Sequence, residues 1–347
     1  MLFFMFISDF DFRLPEELIA QEPLVNRDES RMLVLERGAD LISDKQFADF
    51  PQFLTDSDIV VINNTKVFPA RLLGRSETGA AIELFLVEEI EDGVWSTLAR
   101  PAKRLKAGKK IIFGESLDAE VLERTLDGKV IVRFSWDGNF HDIVQKIGQT
   151  PLPPYIKRES SKINADRERY QTVYARRRGA IAAPTAGLHF TPKVLEAVRN
   201  TGATLAEITL HVGYGTFEPV RVNDLSEHKV SPERYEIYEE TADLLNLARR
   251  EGRRIIAVGT TTTRALESSV MQHGRFAEGK HTADLTITPG YKFGAVDALL
   301  TNFHLPQSSL LVLAAAFGGY ELIMKAYEHA VASRYRFYSY GDRMLIT

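Results

Sequence analysis

No cysteine occurs in the 347 residues of this chain. Disulfides, a thiolate nucleophile, cysteine-ligated zinc and iron–sulfur clusters are therefore excluded. An excess of positive charge is also missing: 43 lysines and arginines face 47 acidic residues, a net charge of −4. Any contact with nucleic acid must come from a local basic patch, not from a global field. Long hydrophobic runs are absent as well. The apolar start, Met1 to Ile7, is too short for a membrane span and lacks the basic flank and cleavage site of a signal peptide. It reads as a buried first strand or as a start codon placed a few residues early, with Met5 as the alternative start. The expected setting is the cytoplasm, with no membrane. Neither an internal repeat nor a low-complexity tract interrupts the chain.

What is present is ordinary in bulk, 44% hydrophobic and 26% charged, and the length suggests about two domains. Pro15 to Ala20 predicts a short helix, and Met32 to Leu35 a strand. Asp58 to Ile62 is a continuous apolar run, the pattern of a strand buried on both faces. From 66 to 149 the texture changes to short strand candidates, Ala81–Val87, Lys110–Phe113, Glu120–Glu123 and Lys129–Phe134, with a hairpin turn at Asp127 and Gly128. This predicts a small all-β barrel or sandwich. The proline cluster from Thr150 to Ile156 reads as the return crossing. Beyond it, helices over Asp166–Arg178, from Thr191 to Gly202 and over Thr241–Arg250 alternate with strands over Ala203–Val212 and Ile255–Val258. A helix to about Met271, two more helices and a terminal strand with a tight turn complete the pattern. The expected fold class is α/β: a larger α/β domain from residues 1–65 and 150–347, with a small all-β barrel-like domain inserted at 66–149.

Four edges rich in glycine, threonine, asparagine or histidine interrupt this alternation: Asn63–Lys66, Thr185–Phe190, His211–Phe217 and Gly259–Arg264. Glycine lets backbone approach a ligand, threonine offers a hydroxyl, and histidine moves a proton near neutral pH. At Ile255–Arg264 the order strand, glycine, threonines, helix makes an anion site, without the lysine or spacing of a P-loop. A threonine N-cap is the plainer reading there. Brought together, the edges form a pocket with aromatics for a base, N–H groups and Arg264 for a carboxylate, and histidines for proton transfer. Such a pocket suits an amino-acid nucleoside. A metal site built from His189, His211, His228 and His304 competes, but no short H-x-x-H or H-E-x-x-H spacing supports it. The stretch Arg100–Lys110 carries six cations and no acid, which suits a phosphate backbone or a solvated loop. Arg176 to Arg178 would end a helix, where the dipole favours cations.

A set of motifs runs in order along nearly the whole chain: Asp9–Phe12, Arg27–Arg31, Asn63–Thr65 with Pro69–Leu72, Pro151–Ile156, Tyr170–Ala175 and Ala182–Phe190. Leu210–Gly213 with Gly215–Phe217, Gly259–Thr261, Thr301–Pro306 and Tyr340–Asp342 complete it. Together they resemble the S-adenosylmethionine:tRNA ribosyltransferase-isomerases of queuosine biosynthesis. Departures are few: Lys66 stands for a usual arginine, Tyr214 for a usual alanine, and Ser231 where a second histidine is common. The last leaves His228 and Glu233 as that loop's candidates. The resemblance implies an α/β domain with a β-barrel insertion. It also implies transfer of the ribosyl part of S-adenosylmethionine to 7-aminomethyl-7-deazaguanine at the tRNA wobble position. The product resembles epoxyqueuosine, and adenine and methionine leave. S-adenosylmethionine is then a co-substrate, no cofactor is permanently bound, tRNA is the partner, and no protein partner is inferred. An S-adenosylmethionine-dependent tRNA methyltransferase and a non-catalytic RNA-binding protein are the alternatives, although Gly213-Tyr214-Gly215 lacks the rest of a dinucleotide fingerprint.

Residues and resemblance together nominate His189, His211 and His304 as catalytic. Substrate binding is expected at Asn63, Asn64, Thr65, Arg71, Thr185, Gly187, Phe190, Gly213, Gly215, Thr216, Phe217, Thr260, Thr261, Arg264 and Asn302. For tRNA phosphates the candidates are Arg100, Lys103, Arg104, Lys106, Arg176, Arg177 and Arg178. No metal ligand is expected.

Overall fold

The computed structural model describes residues 5–157, 163–217 and 219–347, without the side chains of 163–165, 216 and 217. The chain begins with β1 (Arg31–Glu36), β2 (Leu41–Gln46), β3 (Ile59–Asn63) and β4 (Thr65–Val67). Next come β5 (Arg71–Ser76), β6 (Ala81–Glu91), β7 (Val94–Arg100), β8 (Lys110–Ile112), β9 (Leu117–Arg124) and β10 (Val130–Trp136). Helices α1 (Phe140–Ile147) and α2 (Ile163–Arg169) precede β11 (Arg177–Ala180), α3 (Pro192–Asn200), β12 (Thr204–Leu210) and β13 (Glu233–Ile237). The remainder is α4 (Glu239–Glu251), β14 (Ile255–Val258), α5 (Thr260–His273), β15 (Gly279–Ala283), β16 (Ala298–Asn302), α6 (Ser309–Gly318), α7 (Tyr320–Ala332) and β17 (Arg343–Ile346). These divide into two compact units. One comprises the chain up to Lys66, Pro154–Lys157 and Gln171–Thr347; the other comprises Val67–Pro153 and the segment ending at Tyr170.

The first unit is built on a nine-stranded sheet of order β15-β13-β12-β3-β14-β16-β17-β1-β2. Its middle, β12-β3-β14-β16, is parallel, so the carboxyl ends of four strands point the same way. Strand β3 shows why these residues form the centre. All five are buried; Ile59 and Val61 enter one core and Val60 and Ile62 the other. An apolar run with no polar alternation can be satisfied only by layers on both faces. Helix α3 starts as its sequence dictates: Thr191 Oγ1 accepts the Val194 N–H at 3.2 Å and Pro192 occupies the first turn.

The second unit is a closed six-stranded barrel of order β10-β7-β6-β5-β8-β9. Closure leaves no free sheet edge. At the expected hairpin Gly128 takes a positive φ of 88°, and its N–H reaches Thr125 O at 3.0 Å. Helix α1 lays Phe140 against Trp95, Phe134 and Trp136, with ring centroids 5.9, 5.4 and 5.2 Å away.

Three local expectations differ from what is found. Ile7–Phe10 is a 3-10 turn, not part of a first strand, and residues 1–4, including Met1, lie outside the described residues. Pro15–Ala20 provides only the 3-10 turn Glu16–Leu18. The helix expected over 166–178 stops at Arg169, and Val173 beyond it is 44% exposed. The Arg176 and Arg177 N–H groups donate instead to Asn64 O at 2.8 and 3.2 Å. Backbone pairing of this kind outweighs a helix propensity of a few tenths of a kcal/mol per residue.

Candidate active site

Strand β14 ends at Val258, and Gly259 turns the chain into α5 with φ 97°, a conformation that side-chain-bearing residues rarely adopt. The four threonines that follow divide by function. Thr262 and Thr263 donate their hydroxyls backward to Val258 O (2.7 Å) and Gly259 O (3.1 Å). Thr260 and Thr261 instead line a cavity of about 170 Å³. Helix α6 also begins on this cavity: Ser308 caps it by accepting the Leu311 N–H at 3.3 Å, and Ser308 and Ser309 are both in the wall. Two helix amino-terminal ends, with their free N–H groups and positive dipole ends, therefore meet at one small space.

His304 lies in the same wall, at the carboxyl end of β16. Its Nε2 is hydrogen-bonded to Thr301 Oγ1 at 2.9 Å, and its backbone N–H donates to the Tyr327 hydroxyl at 2.9 Å. Burial pushes its pKa down to about 3, so the ring is neutral at any working pH. Tyr338 completes this side of the wall from a left-handed backbone position, φ 73°. Its carbonyl accepts from Asn302 Nδ2 at 3.0 Å, and Asn302 Oδ1 in turn accepts the Thr185 hydroxyl at 3.0 Å. Thr185 and Asn302 thus connect to the cavity through Tyr338.

Arg264 also lines the cavity, but it is not the free cation expected for a carboxylate. Its Nη1 donates to Glu233 Oε2 at 2.7 Å, Nη2 to Ser231 O and Ala283 O, and Nε to Leu285 O. Both side chains of the ion pair are buried, at 6% and 4% exposure. Glu233 Oε1 accepts the Gly213 N–H at 3.0 Å, so the pair ties the glycine loop after β12 to α5. A buried guanidinium with this many fixed acceptors holds structure rather than waiting for a ligand.

Several other expected ligands are likewise engaged in the protein. Asn63 donates to Leu210 O and accepts from the Leu210 and Thr65 N–H groups. Asn64 donates to Glu207 and accepts from the Thr209 hydroxyl. These two amides fasten β3 to β12. Phe190 is fully buried against Phe47 and Phe50, with centroids 5.0 and 5.8 Å away, and has no free face for a base. His189 belongs to the same packing, with Nδ1 bonded to Ser30 Oγ at 2.9 Å and the ring edge-on to Phe47. Gly187 leaves room for the Tyr174 hydroxyl, which a Cβ would strike. His211 is half-buried beside Gly179, with Nδ1 2.8 Å from Thr65 Oγ1. Gly215 does line the cavity; the side chains of Thr216 and Phe217 lie outside the described residues. Arg71 is in the barrel unit, paired with Glu83 at 2.9 Å. Among the wall residues not nominated from sequence are Tyr338, Gln307 and the serines 308 and 309. A serine pair before Leu310-Leu311-Val312 is a readable N-cap signal.

The chain matches the family model described as queuosine biosynthesis protein over residues 7–346. It is 50% identical to the S-adenosylmethionine:tRNA ribosyltransferase-isomerase of Syntrophotalea carbinolica, over 99% of this chain and all of the relative. The protein of that name from Staphylococcus saprophyticus is 48% identical with the same coverage. Among solved structures, the S-adenosylmethionine tRNA ribosyltransferase of Thermotoga maritima is similar at 37% identity and a TM-score of 0.56, over 98% of this chain and all of that one. The chain belongs to this family. It is a transferase of the S-adenosylmethionine:tRNA ribosyltransferase-isomerase class, in queuosine biosynthesis and tRNA modification.

The enzyme's cationic candidates are surface residues. Arg100, Lys103, Arg104 and Lys106 are exposed on the barrel unit. Arg176, Arg177 and Arg178 are exposed on the α/β unit, where Arg176 pairs with Glu207 and Arg177 Nε donates to the Tyr238 hydroxyl at 3.2 Å. Of this triplet, Arg178 alone has no such side-chain partner among the described residues. Among those residues, too, no single helix is long and apolar enough to cross a membrane.

Proposed function

We propose that the enzyme transfers and isomerises the ribosyl part of S-adenosylmethionine onto 7-aminomethyl-7-deazaguanine at the wobble position of a tRNA. The product is epoxyqueuosine in tRNA, and adenine and methionine are released. One observation supports this reading most: the amino-terminal ends of α5 and α6 converge on a single cavity with Thr260, Thr261 and His304 in its wall. Two helix ends suit the methionine carboxylate, and threonine hydroxyls and a neutral imidazole suit the polar edges of a nucleoside. The carboxylate is held by these backbone groups, while Arg264 fixes the position of α5 through Glu233. The co-substrate comes and goes, and nothing is permanently bound. The exposed cations at 100–106 and 176–178 take tRNA phosphates, in the cytoplasm.

The reaction needs a base for a ribose 5′ proton made acidic by the sulfonium, attack by the amine of the tRNA base, and a donor that lets adenine depart. The test is release of free adenine on mixing enzyme, S-adenosylmethionine and tRNA carrying the amine, followed by mass spectrometry of the tRNA. A ribosyl-derived addition with stoichiometric adenine is expected. A methyl addition, or no adenine, sinks the reading. Neutralising Arg100, Lys103, Arg104 and Arg178 should flatten the salt dependence of tRNA binding.

A further inference from the structure

Arg343 is fully buried, yet no acid among the described residues bears on its charge. Strand alternation sets its direction. Met344 and Ile346 of β17 enter the core shared with α5 and α6, while Leu345 enters the other core with Met32, Phe47 and Phe190. Arg343, two residues before Leu345, pairs in register with Met32 and carries its guanidinium 5.5 Å from the centre of the Phe47 ring. It therefore lies on the face of the sheet opposite α5 and α6. Its one hydrogen bond among the described residues runs from Nη2 to Gly341 O at 3.3 Å; Nε and Nη1 have no partner there. The Phe47 ring offers a π face to the cation but no lone pair to its N–H groups.

Two more buried hydroxyls lack partners in the same core. Tyr174 packs edge-on against Phe190 with centroids 6.2 Å apart, and Phe190 in turn packs on Phe47 at 5.0 Å. Gly187, which has no Cβ, is bordered by the Tyr174 hydroxyl and by Thr172, and neither that hydroxyl nor Thr172 Oγ1 has a partner among the described residues. Tyr174 and Arg343 are close enough for each to act on the charge of the other. Burial raises the Tyr174 pKa above its ordinary value, so the ring presents a neutral O–H and not a phenolate. Glu207, the acid that bears on Tyr174, is already engaged with Arg176 and Asn64.

We propose that Arg343, Tyr174 and Thr172 form a buried site for one small monovalent inorganic anion, of the size of chloride, and that this anion is a structural ligand of the α/β unit. A guanidinium does not lose its proton in a protein, so its charge has to be met. Water can accept its N–H groups but leaves the charge uncompensated in a low-dielectric interior, where an unpaired ion is costly. One negative charge neutralises it; a divalent oxyanion leaves an excess of the other sign. Nε–H, the Nη1 hydrogens and two hydroxyls are all donors, and a halide accepts from several donors at once without a preferred direction. The unpartnered atoms are closed to solvent, which favours an occupant the size of an ion over the carboxylate of a larger substrate. The site shares no residue with the cavity at α5 and α6, and the inference is independent of the ribosyl-transfer reading.

Unfolding of the full-length enzyme, followed against chloride at constant ionic strength with gluconate as the balancing anion, tests this. An ion bound only by the folded state should raise the folded-to-unfolded ratio about tenfold for each tenfold rise in chloride above its dissociation constant. In Arg343→Met the same titration should change the ratio by less than about twofold. Tyr174→Phe keeps the ring and removes one donor, so it should need about ten- to a hundredfold more chloride for the same gain. Wild-type crystals grown in bromide should show an anomalous peak between Arg343 and Tyr174. Wild-type stability indifferent to chloride overturns the proposal, as does an undiminished chloride response in Arg343→Met. If Arg343→Met does not fold, the bromide crystals decide, and the lack of a peak beside Arg343 overturns it. Calorimetry separates the rival occupant, the carboxylate of S-adenosylmethionine. Arg343→Met should bind the co-substrate within about threefold of wild type, whereas a loss beyond about tenfold assigns Arg343 to the co-substrate and overturns the proposal.

Discussion

Thr185–Phe190 and Thr301–Ser309 have similar composition and opposite uses. Each carries threonine, histidine and phenylalanine just ahead of a helix. In the first, His189 and Phe190 turn into a cluster with Phe47 and Phe50, and the segment becomes core. In the second, Phe303 enters the core, while His304, though buried, stays with Ser308 and Ser309 at the wall of a cavity. The difference teaches that chemistry-bearing residue types mark where a ligand is possible, and that packing decides where space is left for one. The same holds for arginine: Arg264 is in the wall, yet its donors are already committed.

The comparison can be broken most directly at the packed segment. Phe190→Ala should destabilise the enzyme by about 3–5 kcal/mol in denaturant unfolding, as expected for emptying an aromatic site in a core. A fully stable Phe190→Ala that has lost co-substrate binding would instead make that segment part of the site. At the cavity, Arg264→Ala leaves Glu233 buried without a counter-charge and should cost about 3–5 kcal/mol, whereas Arg264→Met with Glu233→Leu should recover most of it. A single mutant that melts like wild type but binds S-adenosylmethionine poorly would return Arg264 to the role of ligand. The smallest effect is electrostatic. His304 has a folded pKa of about 3 against 6.5 unperturbed, so its contribution to stability is full above 6.5 and is lost progressively as pH falls from there toward 3. Titration followed by NMR should show the His228 ring protonating below 6.5 while His304 remains neutral to far lower pH.

Elements whose cause is local were legible. The buried strand at Ile59–Asn63, the Thr191-Pro192 helix start, the turn at Gly128 and the strand Ile255–Val258 with its glycine all follow from patterns a few residues long. Strands β5 and β7 were not among the expected ones. Arg71–Ser76 carries a glycine and two arginines, and Val94–Arg100 shows no clean alternation; what completes them is pairing around a closed barrel. The segment 171–178 was misread for a related reason, since Asn64 O, more than a hundred residues away, captures its N–H groups.

By itself, then, the sequence determined the α/β class, the barrel-like insertion, the helix starts at Pro192 and Thr260 and the family. Each rests on short-range periodicity, capping or ordered motifs. Only the tertiary structure decided which histidines meet open space and which arginine donors are already used. Those outcomes depend on groups brought together from distant strands: Glu233 across from Arg264, Ser309 across from His228, and Phe47 over His189. A side chain's availability is a property of the neighbours that fail to fill the space around it, and no local pattern encodes that.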